Sequence, residues 1–246
     1  MSDPRFFVPE ALSGPGEREL PPAVAHHALR VLRLRAGDPL VLFDGQGGEW
    51  RARLLAAPAR GDAARAELLA FDPVGREASV PLVLVQSLVA QEKLDWVIPK
   101  AVEAGAARVL VCPAARSGVR LEADRAGRRA ARWAALAAAA AEQCGRTRVP
   151  PVELVDSPAA ALAALPAGCE RFALDPGATA GLGGLCPPAA GAAVFIGPEG
   201  GFVEGELAAL AAGGCRRVRL GPRVLRTETA GLVAIATLLA AAGEYS

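Results

Sequence analysis

No apolar run in the chain approaches the roughly 20 residues that a membrane-spanning helix needs. The longest alanine-rich run, from Ala134, is flanked by Arg132 and Glu142 and reads as a helix. The opening Met-Ser-Asp-Pro-Arg-Phe-Phe has no basic-then-apolar signal segment. A soluble, cytoplasmic protein with no membrane partner is the expectation. Cysteine is sparse and scattered. Cys112, Cys144, Cys169, Cys186 and Cys215 form no Cys-x-x-Cys pair, and the only histidines, His26 and His27, are adjacent. No metal-ligand spacing results, so no metal is expected, and the thiols read as buried and free in a reducing compartment.

Lysine is nearly absent. Of 27 basic residues only Lys93 and Lys100 are lysines, so almost all positive charge is guanidinium. The net charge of +1 excludes a polycation. The arginines are nevertheless clustered. Arg30, Arg33 and Arg35 form one group, Arg108 to Arg148 holds a second against Glu122, Asp124 and Glu142, and Arg216 to Glu228 a third. Clustered guanidinium suits bidentate phosphate contacts and stacking on bases. For any single arginine a solvated helix face is the better explanation of its presence.

A length of 246 residues suits one large domain or two smaller ones, and an apolar content of 52% supports a sizeable core. The first seventy-odd residues read as short strands and turns. Leu40–Leu54 is a hairpin: an apolar run, the turn signals Asp44-Gly45 and Gly47-Gly48, then period-two alternation over Glu49–Leu54. Ala66–Phe71 is a further strand, and Ala23–Leu34 fits a helix. The expectation is a small β-barrel over residues 1–72 and a linker over 73–79.

From residue 80 to 246 strands alternate with helices. Leu82–Val85, Val109–Val111, Val152–Val155, Phe172–Leu174, Ala192–Ile196 and Val218–Leu220 read as strands. Leu94–Val102, Glu122–Cys144, Glu204–Ala212 and Glu228–Ala242 read as helices. This pattern predicts a mostly parallel α/β sheet covered on both faces. Ligands of such sheets bind beyond the carboxyl ends of the strands. Three loops fall there: Leu174-Asp175-Pro176-Gly177, Gly197-Pro198-Glu199-Gly200-Gly201, and Leu220 to Ala230.

The second loop lacks the lysine and Ser/Thr of a P-loop and the spaced glycines of a dinucleotide fingerprint. Pro198 removes a donor and Glu199 repels phosphate, so a neutral or cationic ligand that needs close backbone approach fits better. A tight turn with no ligand has the same glycine density.

Ile-Gly-Pro-Glu-Gly-Gly-Phe at 196–202, with Leu-Gly-Pro-Arg-Val-Leu-Arg-Thr-Glu-Thr-Ala at 220–230, closely resembles the RsmE family. Its members are 16S ribosomal RNA (uracil-N3)-methyltransferases of the SPOUT class. Arg5-Phe6-Phe7-Val8, His26-His27, Leu29–Leu34, Gly37-Asp38 and Phe43-Asp44-Gly45 resemble the family's N-terminal segment. Lys93–Gly105, Arg132-Trp133 and Glu142–Arg146 followed by Pro150 resemble its catalytic segment, so the likeness spans nearly the whole chain. Pro99 inside the first catalytic helix, Glu103-Ala104-Gly105, Cys144 and Pro222 depart from the usual pattern.

The resemblance implies an N-terminal PUA-type RNA-binding barrel and a C-terminal SPOUT α/β domain ending in a trefoil knot. It implies S-adenosylmethionine as cofactor, the small subunit's 16S rRNA as partner, and a homodimer. Ile196, Gly197, Pro198, Glu199, Gly200 and Gly201 would pass along the cofactor. Leu220, Gly221, Val224 and Leu225 would bond the adenine, with Leu174 adding apolar contact. Arg226, Thr227 and Thr229 would line the end nearest the target, and Ala230 is a further cofactor-binding candidate. Arg226 is the candidate to orient uracil or stabilise its developing charge. Glu199 and Glu228 are candidate bases, against the plainer roles of loop pin and helix cap. Arg226 pairing with either acid is the plainer role for that residue. Arg5, Arg30, Arg33, Arg35 and Arg116 are candidates for RNA contact. A SPOUT methyltransferase acting on another RNA such as tRNA, and a non-catalytic ribosome-assembly factor, are the rival readings.

Overall fold

A computed structural model describes residues 3–56, 63–119 and 123–245, in two compact units. The first comprises residues 1–77 with 141–149, and the second residues 78–140 with 150–246.

The first unit holds a five-stranded sheet in the order β1-β3-β4-β5-β2. Its strands are β1 (Arg5–Phe7), β2 (Gly16–Glu19), β3 (Pro39–Phe43), β4 (Glu49–Leu54) and β5 (Arg65–Asp72). The expected hairpin is β3 against β4, paired from Pro39↔Arg53 to Leu42↔Trp50. Alternation along β4 buries Trp50, Ala52 and Leu54 while Arg51 and Arg53 face water. These apolar side chains pack with Phe6, Leu40, Leu42, Ala66 and Leu68. The helix expected over Ala23–Leu34 is shorter. Helix α1 (Pro22–His26) passes into a π-helical turn over His27–Val31, and Arg33 takes a left-handed φ of 57° that ends it.

Residues 73–77 are held to the first unit rather than open. Arg76 binds the Glu49 carboxylate at 3.1 and 3.3 Å and the Gly145 carbonyl at 2.9 Å. Glu77 accepts from the Arg146 guanidinium and from the Arg148 backbone N–H. The sequence pattern gave no sign that 141–149 belongs with the first seventy residues, because its long helix reads as a single element.

The second unit is a six-stranded sheet, all of whose pairs are parallel, in the order β11-β9-β10-β6-β7-β8. It comprises β6 (Leu82–Ser87), β7 (Ala106–Cys112), β8 (Val152–Leu154), β9 (Glu170–Leu174), β10 (Ala192–Ile196) and β11 (Arg216–Val218). Strand β6 is central and buried throughout, as its continuous apolar run requires. On one face Val83, Val85 and Phe195 meet Ala161 of α4 (Pro158–Ala163) and Leu207 and Leu210 of α5 (Glu204–Ala212). On the other lie α2 (Gln91–Glu103) and α6 (Thr227–Ala241), which pack on each other.

Three differences from the sequence reading concern this unit and its thiols. The short α4 was unexpected. Helix α3 spans Ala123–Cys144, and the expected start at Glu122 lies outside the described residues. Strand β11 ends at Val218, so Leu220 is released into the following loop. Cys186 is exposed, whereas Cys112, Cys169 and Cys215 are buried. Burial pushes the Cys112 thiol up to about 12 and Cys215 to about 11, which keeps both protonated and inert. Pro99 lies within α2, and the helix runs on to Glu103.

Candidate functional site

Chain order in the sheet reverses between β6 and its neighbour β10. The chain runs outward from β6 through β7 to β8, crosses to β9, and places β10 between β9 and β6. That reversal opens a crevice beyond the strand ends. The loops after β9, β10 and β11 line one cavity there, with a volume near 450 Å³. Helix α2 contributes Lys93.

Leu174, Ile196, Gly197, Pro198, Glu199, Gly201, Leu220, Gly221, Val224, Leu225, Arg226, Thr227 and Ala230 all line this cavity, as does Glu228. Gly200 and Thr229 do not. Gly200 instead presents its carbonyl to Arg116 Nη1 at 2.7 Å, so Arg116 braces the glycine loop from outside. Gly197 sits where the loop folds back on itself. A Cβ there would come within 3.0 Å of the Phe202 nitrogen and 3.1 Å of Gly201, a backbone contact that has little freedom to give.

The charges form an ordered set. Lys93 Nζ lies 2.6 Å from Glu199 Oε1 and 3.9 Å from Glu228 Oε2. The hydrogen bond from Lys93 holds the Glu199 carboxyl below its ordinary range, against burial acting the other way. The same bond raises Lys93. Glu228 Oε2 is buried without a hydrogen-bond partner among the described residues. Arg226 is exposed and precedes the first turn of α6; its carbonyl accepts from the Thr229 and Ala230 N–H groups, while its guanidinium makes no hydrogen bond or ion pair among the described residues. The pairing of Arg226 with either acid is therefore not seen, because Lys93 occupies Glu199.

The hydroxyl of Thr227 is not free to meet a ligand. It donates to the Gly197 carbonyl at 2.7 Å and accepts from Gln86 Nε2 at 2.9 Å. Asp175 also lines the cavity. Burial would raise its carboxyl, but hydrogen bonds from Arg217 and the Gly177 N–H outweigh that and hold it low. Arg217 ties Asp175 to Glu204 at the start of α5.

The candidate RNA arginines divide. Arg30, Arg33 and Arg35 are exposed around the π-helical turn, beside the exposed Val31 and Leu32. Arg5 is a correction. Its side chain is only 14% exposed, ion-paired to Glu49, bonded to the Arg146 carbonyl at 2.9 Å, and stacked 4.9 Å over Phe43. It is part of the first unit's interior.

Lys93, Asp175, Arg219 and Arg223 line the cavity without having been singled out as site residues. Lys93 carried a usable signal, being one of two lysines in an arginine-rich chain. Arg219 and Arg223 lay within an arginine cluster but had no feature separating them from a solvated face.

Comparison with known proteins matches the two units to two family descriptions. Residues 76–239 match an RNA methyltransferase domain, and residues 20–61 an RNA methyltransferase PUA domain. Fold and site together thus define an RNA methyltransferase with a PUA unit. Ribosomal RNA small subunit methyltransferase E of Mycobacterium bovis is 37% identical over 217 residues, 85% of this chain and 80% of the relative. The crystal structure of the same-named protein from Neisseria gonorrhoeae, bound to S-adenosyl methionine, is 34% identical with a TM-score of 0.91 over 100% of each chain. A methyltransferase of Legionella pneumophila, solved with the bound cofactor SAM, is 27% identical with a TM-score of 0.89 over 98% of each chain. The chain belongs to the ribosomal RNA small subunit methyltransferase E family.

Proposed function

We propose that this chain transfers a methyl group from S-adenosylmethionine to N3 of one uridine in the 16S RNA of the small ribosomal subunit. The observation that carries the reading is a cavity that gathers three strand-end loops around Glu228 and the Arg226 guanidinium, which has no side-chain partner among the described residues.

The cavity residues suit this cofactor. Leu174, Ile196, Leu220 and Leu225 give apolar walls, and the glycines at 197, 201 and 221 let backbone approach closely. The carboxylates favour a cationic ligand, and the orphaned Glu228 oxygen has acceptor capacity to spare. Backbone groups of Leu220, Gly221, Val224 and Leu225 would bond the adenine, with Leu174 against its face. Ile196 to Gly201 would form the facing wall, with Gly200 acting through its bond to Arg116. Thr229 and Ala230 set the first turn of α6 behind Arg226.

S-adenosylmethionine supplies a methyl group already activated on its sulfonium sulfur. The chain's residues must hold N3 in line and remove its proton. Glu228 is assigned as proton acceptor, because Glu199 is committed to Lys93 and its lowered pKa makes it the poorer base. Arg226 stabilises the negative charge that develops on the uracil as N3–H is lost. Glu199 pins its loop. Orientation of the two reactants supplies further rate.

N3 lies on the Watson–Crick edge, so the target base must be unpaired or flipped. Arg30, Arg33 and Arg35 would contact the RNA backbone from the PUA unit. The chain acts as a homodimer in the cytoplasm, a reading supported by the resemblance and by the exposed Trp96 and Val224 of the second unit. The C-terminal segment is threaded as a trefoil knot, a reading that rests on family membership.

The test is complementation. The chain is expressed in cells whose 16S RNA lacks the N3 methyl, and the digested RNA is read by mass spectrometry. Appearance of 3-methyluridine in 16S RNA supports the reading. Its absence, or methylation of tRNA instead, overturns it.

A further inference from the structure

Gln86 is the first polar residue of β6, after Leu82, Val83, Leu84 and Val85, and it is fully buried. A buried primary amide costs several kcal/mol unless its groups are paired, so its presence at the centre of the sheet calls for a physical reason.

The amide nitrogen is placed by its surroundings. Nε2 donates to the Ser87 carbonyl at 3.2 Å and to Thr227 Oγ1 at 2.9 Å. The opposite amide orientation would set two oxygens against each other at Ser87. With Nε2 as donor to Thr227, the threonine hydroxyl must send its own proton onward, and its acceptor is the Gly197 carbonyl at 2.7 Å. The result is a directional chain, Gln86 to Thr227 to Gly197. Each bond in such a chain polarises the next in a low-dielectric interior.

The chain spans both principal walls of the cavity. Gly197 opens the loop after β10, and Thr227 ends the loop after β11 and starts α6 between Arg226 and Glu228. The approach of α6 to this point depends on Gly231, where a Cβ would lie 3.0 Å from Leu84 Cδ1 and 3.6 Å from Gln86 Oε1.

The geometry points to Gln86 as a positioning residue for the methyl-donor cavity: through Thr227 it sets the separation of the glycine loop from the Arg226–Glu228 turn. This rests on the cavity being the cofactor site. Gln86 does not line the cavity and acts only through Thr227.

The experiment compares Gln86→Met, Thr227→Val, the double variant and Thr227→Ser in the full chain. Titration calorimetry with S-adenosylmethionine gives the cofactor Kd, and hydrogen exchange of the free protein reads the amides of 197–201. Each single variant should weaken binding about tenfold, the cost of a hydrogen bond in a shared network. The double variant should be no worse than the poorer single variant, and Thr227→Ser should bind within about twofold of the parent. The loop amides should exchange faster in Gln86→Met without ligand. Unchanged Kd in Gln86→Met, or losses that multiply in the double variant, would overturn the assignment. If Gln86→Met fails to fold, Thr227→Val carries the same comparison. Should the parent chain give no binding heat, the cofactor reading fails, and the exchange rates alone then decide for or against the link.

Discussion

Lys93 and Glu199 are 106 positions apart in sequence and meet at 2.6 Å at the edge of the cavity. The contact favours the reading proposed above, in which Glu199 pins the glycine loop, and it leaves the Arg226 guanidinium, which lines the same cavity, without an acidic partner among the described residues.

The pair has a defined pH window. Glu199 is lowered in the fold, so its contribution is full above its ordinary value of 4.5 and is lost as pH falls through the lower folded value. Lys93 is raised, so its contribution is full below its ordinary value of 10.5 and is lost as pH rises through the higher folded value. Cofactor affinity in Lys93→Met should fall only a few-fold near neutrality, since exposed pairs contribute modestly. Glu199→Gln should match it, and the double variant should add nothing, as read by calorimetry.

Arg226→Ala should leave cofactor Kd near that of the parent and slow methyl transfer by about a hundredfold, the scale of one lost charge-stabilising donor. Single-turnover rates against calorimetric Kd separate the two. Equal turnover in the variant would remove Arg226 from the chemistry.

Gly197→Ala forces backbone contacts of 3.0 and 3.1 Å within its own loop. Cofactor binding should weaken at least about tenfold, the scale of 1.4 kcal/mol of added strain. Thermal unfolding of the second unit should change little, because the loop lies outside its apolar core. Parent-like affinity would show that the loop does not touch the cofactor.

The arginines of the first unit should separate by role. Arg30, Arg33 and Arg35 replaced together by alanine should weaken RNA binding and flatten its salt dependence by about two units of slope, with folding unaffected. Glu49→Ala should instead destabilise the unit by about 3 kcal/mol, since it leaves the largely buried Arg5 unpaired. Burial raises Glu49, but bonds from Arg76 and Arg5 outweigh it and hold it low. Its contribution is therefore present above 4.5 and lost as pH falls through the lower folded value, which denaturant titrations at several pH values would read.

Much of the cavity was legible because turns at the strand ends line it. Gly197, Gly201 and Gly221 announce turns, apolar runs announce the strands before them, and parallel sheets bind ligands at those strand ends. The limits are equally physical. Arg5 and Arg30 look alike in a sequence, and only packing reveals that one faces Glu49 and the other water. Thr227 stands beside Arg226 and reads as a ligand contact, yet Gln86, 141 positions away, claims its hydroxyl. Helix α3 reads as one element because helical periodicity does not register that its last turn joins another unit.

The central claim is tested most directly by methyl transfer in vitro. The full chain is incubated with methyl-labelled S-adenosylmethionine and small subunits from cells lacking the activity, with naked 16S RNA and tRNA alongside. Label is then assigned by nucleoside chromatography. The account predicts label on 3-methyluridine of 16S RNA, appearing about a hundredfold more slowly with Arg226→Ala. Label on another nucleoside, or none while the cofactor binds, would contradict it.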